Sequence, residues 1–358
     1  MKQFILAFAF IFCGLATCRA QIQDDNLKIN KIQVIGSHNS YRYAIEPALF
    51  KAIQAEDTTR DLSGLEYEHI AINKQLDMGL RSLEIDVYPD SKGGMYAHPK
   101  GLDLAKPEQP YDPQGKMLNP GFKVFHMPDV DFRTQFYTFE DALKALKTWS
   151  DANPDHVPVF ITLEPKGGET NHFGTVVEPM TSERFDELDN VIKTNLGTDK
   201  LITPDMVRGN YKTLEEAVLH NNWPTLGQAK GKFMFILDNH GEKRDLYIKG
   251  HPSLKGGVIF VNADPGTPEA ATLFRNEPED AAIPELVKKG YFVRTRADAN
   301  TEEARKNDYS RFELAEKSGA QVITTDYYQP SKMFKSSYHI KFDDKVPYVR
   351  LNPVLVKK

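Results

Sequence analysis

The sequence predicts an α/β chain folded as a distorted (β/α)8 TIM barrel, in a single domain. Three observations carry this. Eight short β-rich runs recur between residues 32 and 326, helix-like or loop segments separate each from the next, and most runs are apolar throughout rather than alternating. Strands buried on both faces read this way, and parallel pairing with helices packed on the sheet is what buries both faces. Such a barrel takes about 250 residues before insertions, so a chain of 358 accommodates it with long loops to spare. A doubly wound sheet with a smaller second domain is the competing topology.

In order, the runs are IQVIG (32–36), RSLEIDVY (81–88), FKVFH (122–126), VPVFITLE (157–164), KFMFILD (232–238), GVIFV (257–261), YFVRT (291–295) and QVITTD (321–326). Between them, FEDALKALKTWS (139–150) repeats Phe139, Leu143, Leu146 and Trp149 at the spacing of one helix face. SERFDELDNVIKTNL (182–196) and TEEARKNDYSRFELAEKSG (301–319) read as further helices, the last closed by Gly319 as a C-cap. The surplus length falls mainly in an insertion at about 90–121, rich in Pro, Gly, Asp and Lys.

The formal net charge is −5, and loss of Lys2 and Arg19 with a leader would make the remainder more acidic still. A chain without basic excess has no long-range attraction for phosphate backbones, which excludes nucleic acid as a partner class. Residues 1–20 have the parts of a secretory signal: Lys2, the apolar FILAFAFIFCGLA, and CRA before a cut that leaves 21–358. Leu15-Ala16-Thr17-Cys18 also resembles a bacterial lipoprotein box, so acylation of Cys18 is the alternative. Both cysteines, Cys13 and Cys18, fall inside this segment, and a chain cut after Ala20 has no thiol for a disulfide or a metal. No later stretch approaches the ~20 apolar residues that cross a bilayer. The expectation is an exported protein, periplasmic or secreted, with no protein partner implied.

Active sites of such barrels occupy the C-terminal ends of the strands, and the polar residues there are the candidates. His38 and Asn39, in IGSHNSY (35–41), follow the first run. Glu84 and Asp86 close the second, His126 the third and Glu164 the fourth. IGSHNSY on its own reads as a turn, since Ser and Asn side chains bond well to nearby backbone. Glu84 and Asp86 share one face of their strand by the period-two rule, and two ionised carboxylates there repel unless a cation sits between them. With Glu164 and the amide oxygen of Asn39 they make a four-oxygen, thiolate-free set suited to a hard cation. Calcium is preferred over magnesium because it accepts irregular geometry from separate loops. His38 and His126, flanking a phosphodiester, have the chemistry for one base and one acid.

These residues resemble the calcium-dependent phosphoinositide-specific phospholipases C of the bacterial type, relatives of the eukaryotic catalytic domain. The resemblance runs through GSHNSY, GLRSLEIDVYPD, GGMYAHP, FKVFHMPDVDFRTQ, ITLEPK, the FILDN strand, VRTRAD and VITTDY, and covers about 32–328. It implies a phosphodiesterase barrel over 21–358, Ca2+ on Asn39, Glu84, Asp86 and Glu164, and attack of the inositol 2-hydroxyl on phosphorus. His38 or Glu84 would take the hydroxyl proton, and His126 would protonate the leaving glyceride oxygen. His98, fourteen residues past Glu84, competes with His126 for that part. Lys166, Arg294, Arg296 and Tyr327 are expected to touch the headgroup, although Lys166 in its PKGG turn can equally stand idle and the arginines can equally pair with Asp326. The substrate is then a phosphoinositide lipid or glycerophosphoinositol, with peripheral membrane contact in the first case. A glycerophosphodiester phosphodiesterase is the nearest rival, but its His-Arg-Gly and Pro-Glu-Asn segments are absent here. A catalytically silent headgroup-binding barrel would have lost a histidine or a ligand, and none is missing.

Overall fold

The computed structural model describes residues 24–56, 61–171 and 173–356; the leader expected at 1–20, with Cys18, lies outside them. Ten strands join in one sheet: β1 Ile32–Ser37, β2 Ser82–Asp90, β3 Gly121–Lys123, β4 Val159–Pro165, β5 Phe233–Leu237, β6 Ile259–Val261, β7 Thr272–Phe274, β8 Phe292–Arg296, β9 Val322–Thr325 and β10 Val349–Leu351. Eight of them run parallel in the order β6-β5-β4-β2-β1-β9-β8-β7. An isolated parallel bridge from Asn262 to Thr272 joins the two ends of that order and closes the ring. Thr272 Oγ1 reinforces the closure by donating to Val261 O at 2.7 Å. The predicted (β/α)8 barrel is therefore present.

Its distortion has a physical source at one seam. β2 and β4 pair over six positions, whereas β1 and β2 pair at one, Gly36 with Ser82. β10 lies antiparallel to the first half of β1, on the edge opposite β9, and so takes the partner positions that β2 would otherwise fill. At Gly36 a Cβ would stand 2.3 Å from both Cβ and O of Ser82, so only glycine allows the single crossing point.

One expectation about a strand and one about a helix need correction. FKVFH is not the third barrel strand. Its first part, β3, runs antiparallel to the end of β2, with Tyr88 opposite Lys123 and Asp90 opposite Gly121. β2 outgrows the rim, the insertion follows, and β3 carries the chain back down towards it. The strand that completes the eight is β7, whose three residues are too short a run to stand out. The helix expected over 301–319 is two, Glu302–Lys306 and Ser310–Ser318, parted by Asn307 in the left-handed region at φ 51°. Gly319 closes the second at φ 79°, as its cap position predicts. The helices Phe139–Ala152 and Ser182–Leu196 stand where the periodicity set them, each opened by a threonine, Thr138 and Thr181, whose side chain accepts from the backbone three residues on.

The residues of the eight parallel strands are buried almost without exception, which accounts for their unbroken apolar runs. Inside the wall, Phe160 meets Phe292 at 4.6 Å between ring centroids, and Trp223 packs on Phe292 and Phe260. Among the described residues, no helix is long and apolar enough to cross a membrane.

Candidate active site

The site grows from β2 and β4. Along β2, Leu83, Ile85 and Val87 point into the core, so alternation turns Glu84 and Asp86 to the other face. β4 is in register, with Asp86 opposite Glu164. One oxygen from each of Glu84, Asp86 and Glu164 lies within 4.8 Å of the others. Asp86 is fully buried and neither of its oxygens accepts a hydrogen bond. Burial, opposed by Lys166 and reinforced by Glu164 and Glu84, pushes its pKa well above the usual carboxylate range. A buried carboxylate between two others, accepting no hydrogen bond and faced only by the Lys166 ammonium at 3.3 Å, leaves the cluster short of positive charge, and its all-oxygen donors fit a hard divalent cation. Burial would raise Glu84 as well, but His38, Arg294, Arg296 and Lys166 outweigh it and hold Glu84 below its usual value.

Each histidine has its own aspartate. Asn39, at φ 46°, turns the backbone after β1 so that neighbouring side chains diverge. His38 Nδ1 lies 2.9 Å from Asp326 Oδ1, and its Nε2 faces Glu84 Oε1 at 3.4 Å. Asp326 is buried, which would raise its pKa, yet His38 and Arg296 hold it down to about 2. An ionised Asp326 fixes Nδ1 as the donor and leaves Nε2 directed into the site. His126 is matched by Asp131. The MPDVD turn, with Asp129 at φ 69°, brings Asp131 back so that its Oδ2 lies 2.7 Å from His126 Nδ1. The same Oδ2 accepts from Arg42 Nε at 2.8 Å. Burial would raise Asp131; Arg42 and His126 keep it below its usual value. Tyr88 Oη donates to His126 O at 2.7 Å, tying this turn to the extended end of β2. GSHNSYR is thus wired into both pairs, through His38 to Asp326 and through Arg42 to Asp131.

Residues 27–353 match the family model described as phosphoinositide phospholipase C, Ca2+-dependent. The chain belongs to this family. Solved structures agree on the fold. A calcium-dependent phosphoinositol-specific phospholipase C from Pseudomonas sp., in its apo form and myoinositol complex, superposes with a TM-score of 0.53 at 14% identity, covering 91% of this chain and 96% of that one. A second crystal form of the Pseudomonas enzyme gives 0.54 at 15% identity, covering 92% and 97%. The Ca2+-dependent phosphatidylinositol-specific phospholipase C of Streptomyces antibioticus gives 0.53 at 16% identity, covering 87% and 99%. No curated protein sequence matches the chain.

The remaining expected site residues of this phospholipase C family member fall into two groups. Near the carboxylates, Lys166 Nζ is ion-paired with Glu164 and lies 3.3 Å from Asp86 Oδ2. Arg296, partly exposed, donates from Nε to Asp298 O at 3.1 Å and reaches Asp326 Oδ2 at 3.7 Å. Asn39 is held between two tyrosines. Its Nδ2 donates to Tyr67 Oη at 2.9 Å and its Oδ1 accepts from Tyr41 Oη at 3.3 Å, leaving one further lone pair on that oxygen. Two expectations are corrected. Arg294 is not a headgroup-facing guanidinium: it is 2% exposed and bonds Glu84 Oε2 at 2.6 Å and the Asn276 side chain. Tyr327 does not present its ring to a sugar: it is buried in a second apolar cluster against Phe334 and Tyr338. His98 sits on the exposed insertion, 2.9 Å from Asp103, with two-thirds of its side chain in solvent.

Sequence reasoning missed Asp131 and Arg42 as partners, and also His69, whose Nε2 donates to the backbone O of His38 at 2.6 Å. Tyr67, whose ring stacks 6.0 Å from His38, was missed too. The two aspartates that orient the histidines lie 5 and 288 positions away from them. A spacing of the first kind is open to inspection; one of the second kind is not.

Proposed function

We propose that the chain is a calcium-dependent phospholipase C that cleaves phosphatidylinositol-type lipids to diacylglycerol and an inositol cyclic phosphate. The observation that carries this is the cluster of Glu84, Asp86 and Glu164 flanked by His38–Asp326 on a family-matched barrel. Glu84, Asp86 and Glu164, with Asn39, would hold calcium, which when bound neutralises charge at the phosphoryl group and favours ionisation of a nearby hydroxyl. The chain's own residues account for the protons. The 2-hydroxyl oxygen forms the new bond to phosphorus and gives its proton to His38 Nε2 or Glu84. The phosphorus–glyceride bond breaks, and His126 Nε2 supplies the proton that the departing diacylglycerol oxygen needs. Arg296 and Lys166 are the cations available to phosphate or sugar hydroxyls.

We infer peripheral contact with lipid, because Tyr43, Met95, Leu118 and Val176 expose apolar side chains on the loops that follow β1, β2 and β4. Export follows from the leader-like residues 1–20. A mature mass beginning at Gln21 supports the secreted form, and an acylated Cys18 would replace it with a lipid-anchored one.

Phosphorus NMR of the purified protein with phosphatidylinositol micelles, in calcium and in chelator, tests the activity. A calcium-dependent cyclic inositol phosphate signal is expected. Glycerol 3-phosphate from glycerophosphodiesters, with lipid untouched, would make the rival phosphodiesterase the correct reading. His126→Ala should abolish turnover with calcium affinity intact, whereas Asp86→Asn should weaken calcium binding. Loss in His98→Ala with full activity in His126→Ala would reverse the choice of acid.

A further inference from the structure

Lys166 stands where the carboxylate cluster calls for a cation. Its backbone N donates to Val87 O at 2.9 Å, extending the β2–β4 ladder by one rung, so the side chain starts from a fixed point. From there Nζ reaches both Glu164 Oε1 and Asp86 Oδ2. Among the described residues no other Lys, Arg or His nitrogen lies within 4.0 Å of either carboxylate, while Glu84 has Arg294 as its own partner. The ammonium therefore supplies the positive charge on the two carboxylates of β2 and β4 that no buried arginine serves. It also has a way out, since the side chain is 20% exposed and its unbranched stem changes rotamer without moving the strand.

We propose that Lys166 is a built-in counter-cation: it holds the carboxylates together in the metal-free protein, competes with calcium for them, and leaves when calcium enters. This rests on the reading of Glu84, Asp86 and Glu164 as the calcium site. A dication and an ammonium cannot share oxygens less than 5 Å apart without strong repulsion, so occupancy by one displaces the other. Lys166 thereby raises the calcium concentration at which the site fills. The released ammonium stays at the edge of the site, where a phosphodiester carries the opposite charge.

Calorimetric titration of calcium into metal-free wild type, Lys166→Met and Lys166→Arg tests this without reference to turnover. Lys166→Met should bind calcium about tenfold more tightly, inside the usual range for one coupled equilibrium, and Lys166→Arg should stay close to wild type. In chelator, Lys166→Met should melt below wild type, and saturating calcium should close the gap. Amine-acylation footprinting of wild type should label Lys166 faster in calcium than in chelator. Equal calcium affinity in Lys166→Met and wild type, or a label at Lys166 indifferent to calcium, overturns the proposal while leaving the calcium site standing. Failure of all three proteins to bind calcium removes the calcium reading and this inference together.

Discussion

Between Ser37 and Ser40 the backbone passes through the left-handed conformation of Asn39, and that one residue sends His38 towards Asp326 and Asn39 towards Tyr67. The orientation of His38 then depends on Asp326 accepting from Nδ1. Asp326→Asn removes the charge that fixes the tautomer and should lower kcat by about 10²–10⁴, the range for losing general acid–base catalysis, with calcium affinity unchanged. A matching loss of calcium affinity would show instead that the substitution disrupts the cluster. A second residue sets a pH limit far from the site. His156 is buried, its ring nitrogens 2.7 Å from Val157 O and 2.9 Å from Ser150 Oγ. Burial pushes its imidazole down to about 4 from an ordinary 6.5, helped by Arg81 and Lys200 and opposed by Val157 O. Because the folded value lies below the unfolded one, the unfolded chain takes up the extra proton. The stability is complete above pH 6.5 and is lost as the pH falls towards 4, by up to about 3 kcal/mol for such a shift. Urea unfolding of wild type and His156→Gln across that window should show a steeper fall in wild type; parallel curves would rule out His156 as the source.

At the level of elements, the weak point is the β1–β2 seam. Gly36→Ala drives a methyl group into Ser82, whose backbone is itself held in β2, and should cost about 3 kcal/mol, the upper end for overpacking. Chemical denaturation of the variant measures this, and a loss below about 1 kcal/mol would mean that the seam opens freely. The same seam shows where pattern reading ends. β1, β2, β4, β5, β6, β8 and β9 each overlap a run visible as an apolar segment, to within one or two residues at the end, because burial on both faces leaves that mark. FKVFH carries the same mark but pairs with the projecting end of β2, since burial by the insertion looks like burial in a barrel. β7 went unseen because three residues carry too little pattern, and the 301–319 helix was read as one because Asn307 is not a strong breaker by type.

For the whole molecule, the carboxylates come from two strands that support one another along six paired positions, so a cation between them bears on global stability. Calcium at about 100 times its Kd should stabilise the fold by about 2.7 kcal/mol, and magnesium by less. Thermal unfolding in calcium, magnesium and chelator measures it; identical curves would place the ion elsewhere. Of the site itself, the residue types at the strand ends were legible, since Glu84, Asp86, Glu164 and His38 sit where a barrel keeps its chemistry. Their wiring was not. Arg294 and Tyr327 end strands too, yet one is spent beneath Glu84 and the other is packed among aromatic rings. The sequence by itself determined the barrel, its rim and the chemical class of the groups there, because periodicity and residue type are local properties. Which rim residues are buried and which open, which aspartate orients which histidine, and which ammonium pairs with Asp86 and Glu164 were decided by tertiary structure alone. Those outcomes depend on contacts between residues up to 288 positions apart, and no local pattern encodes such a contact.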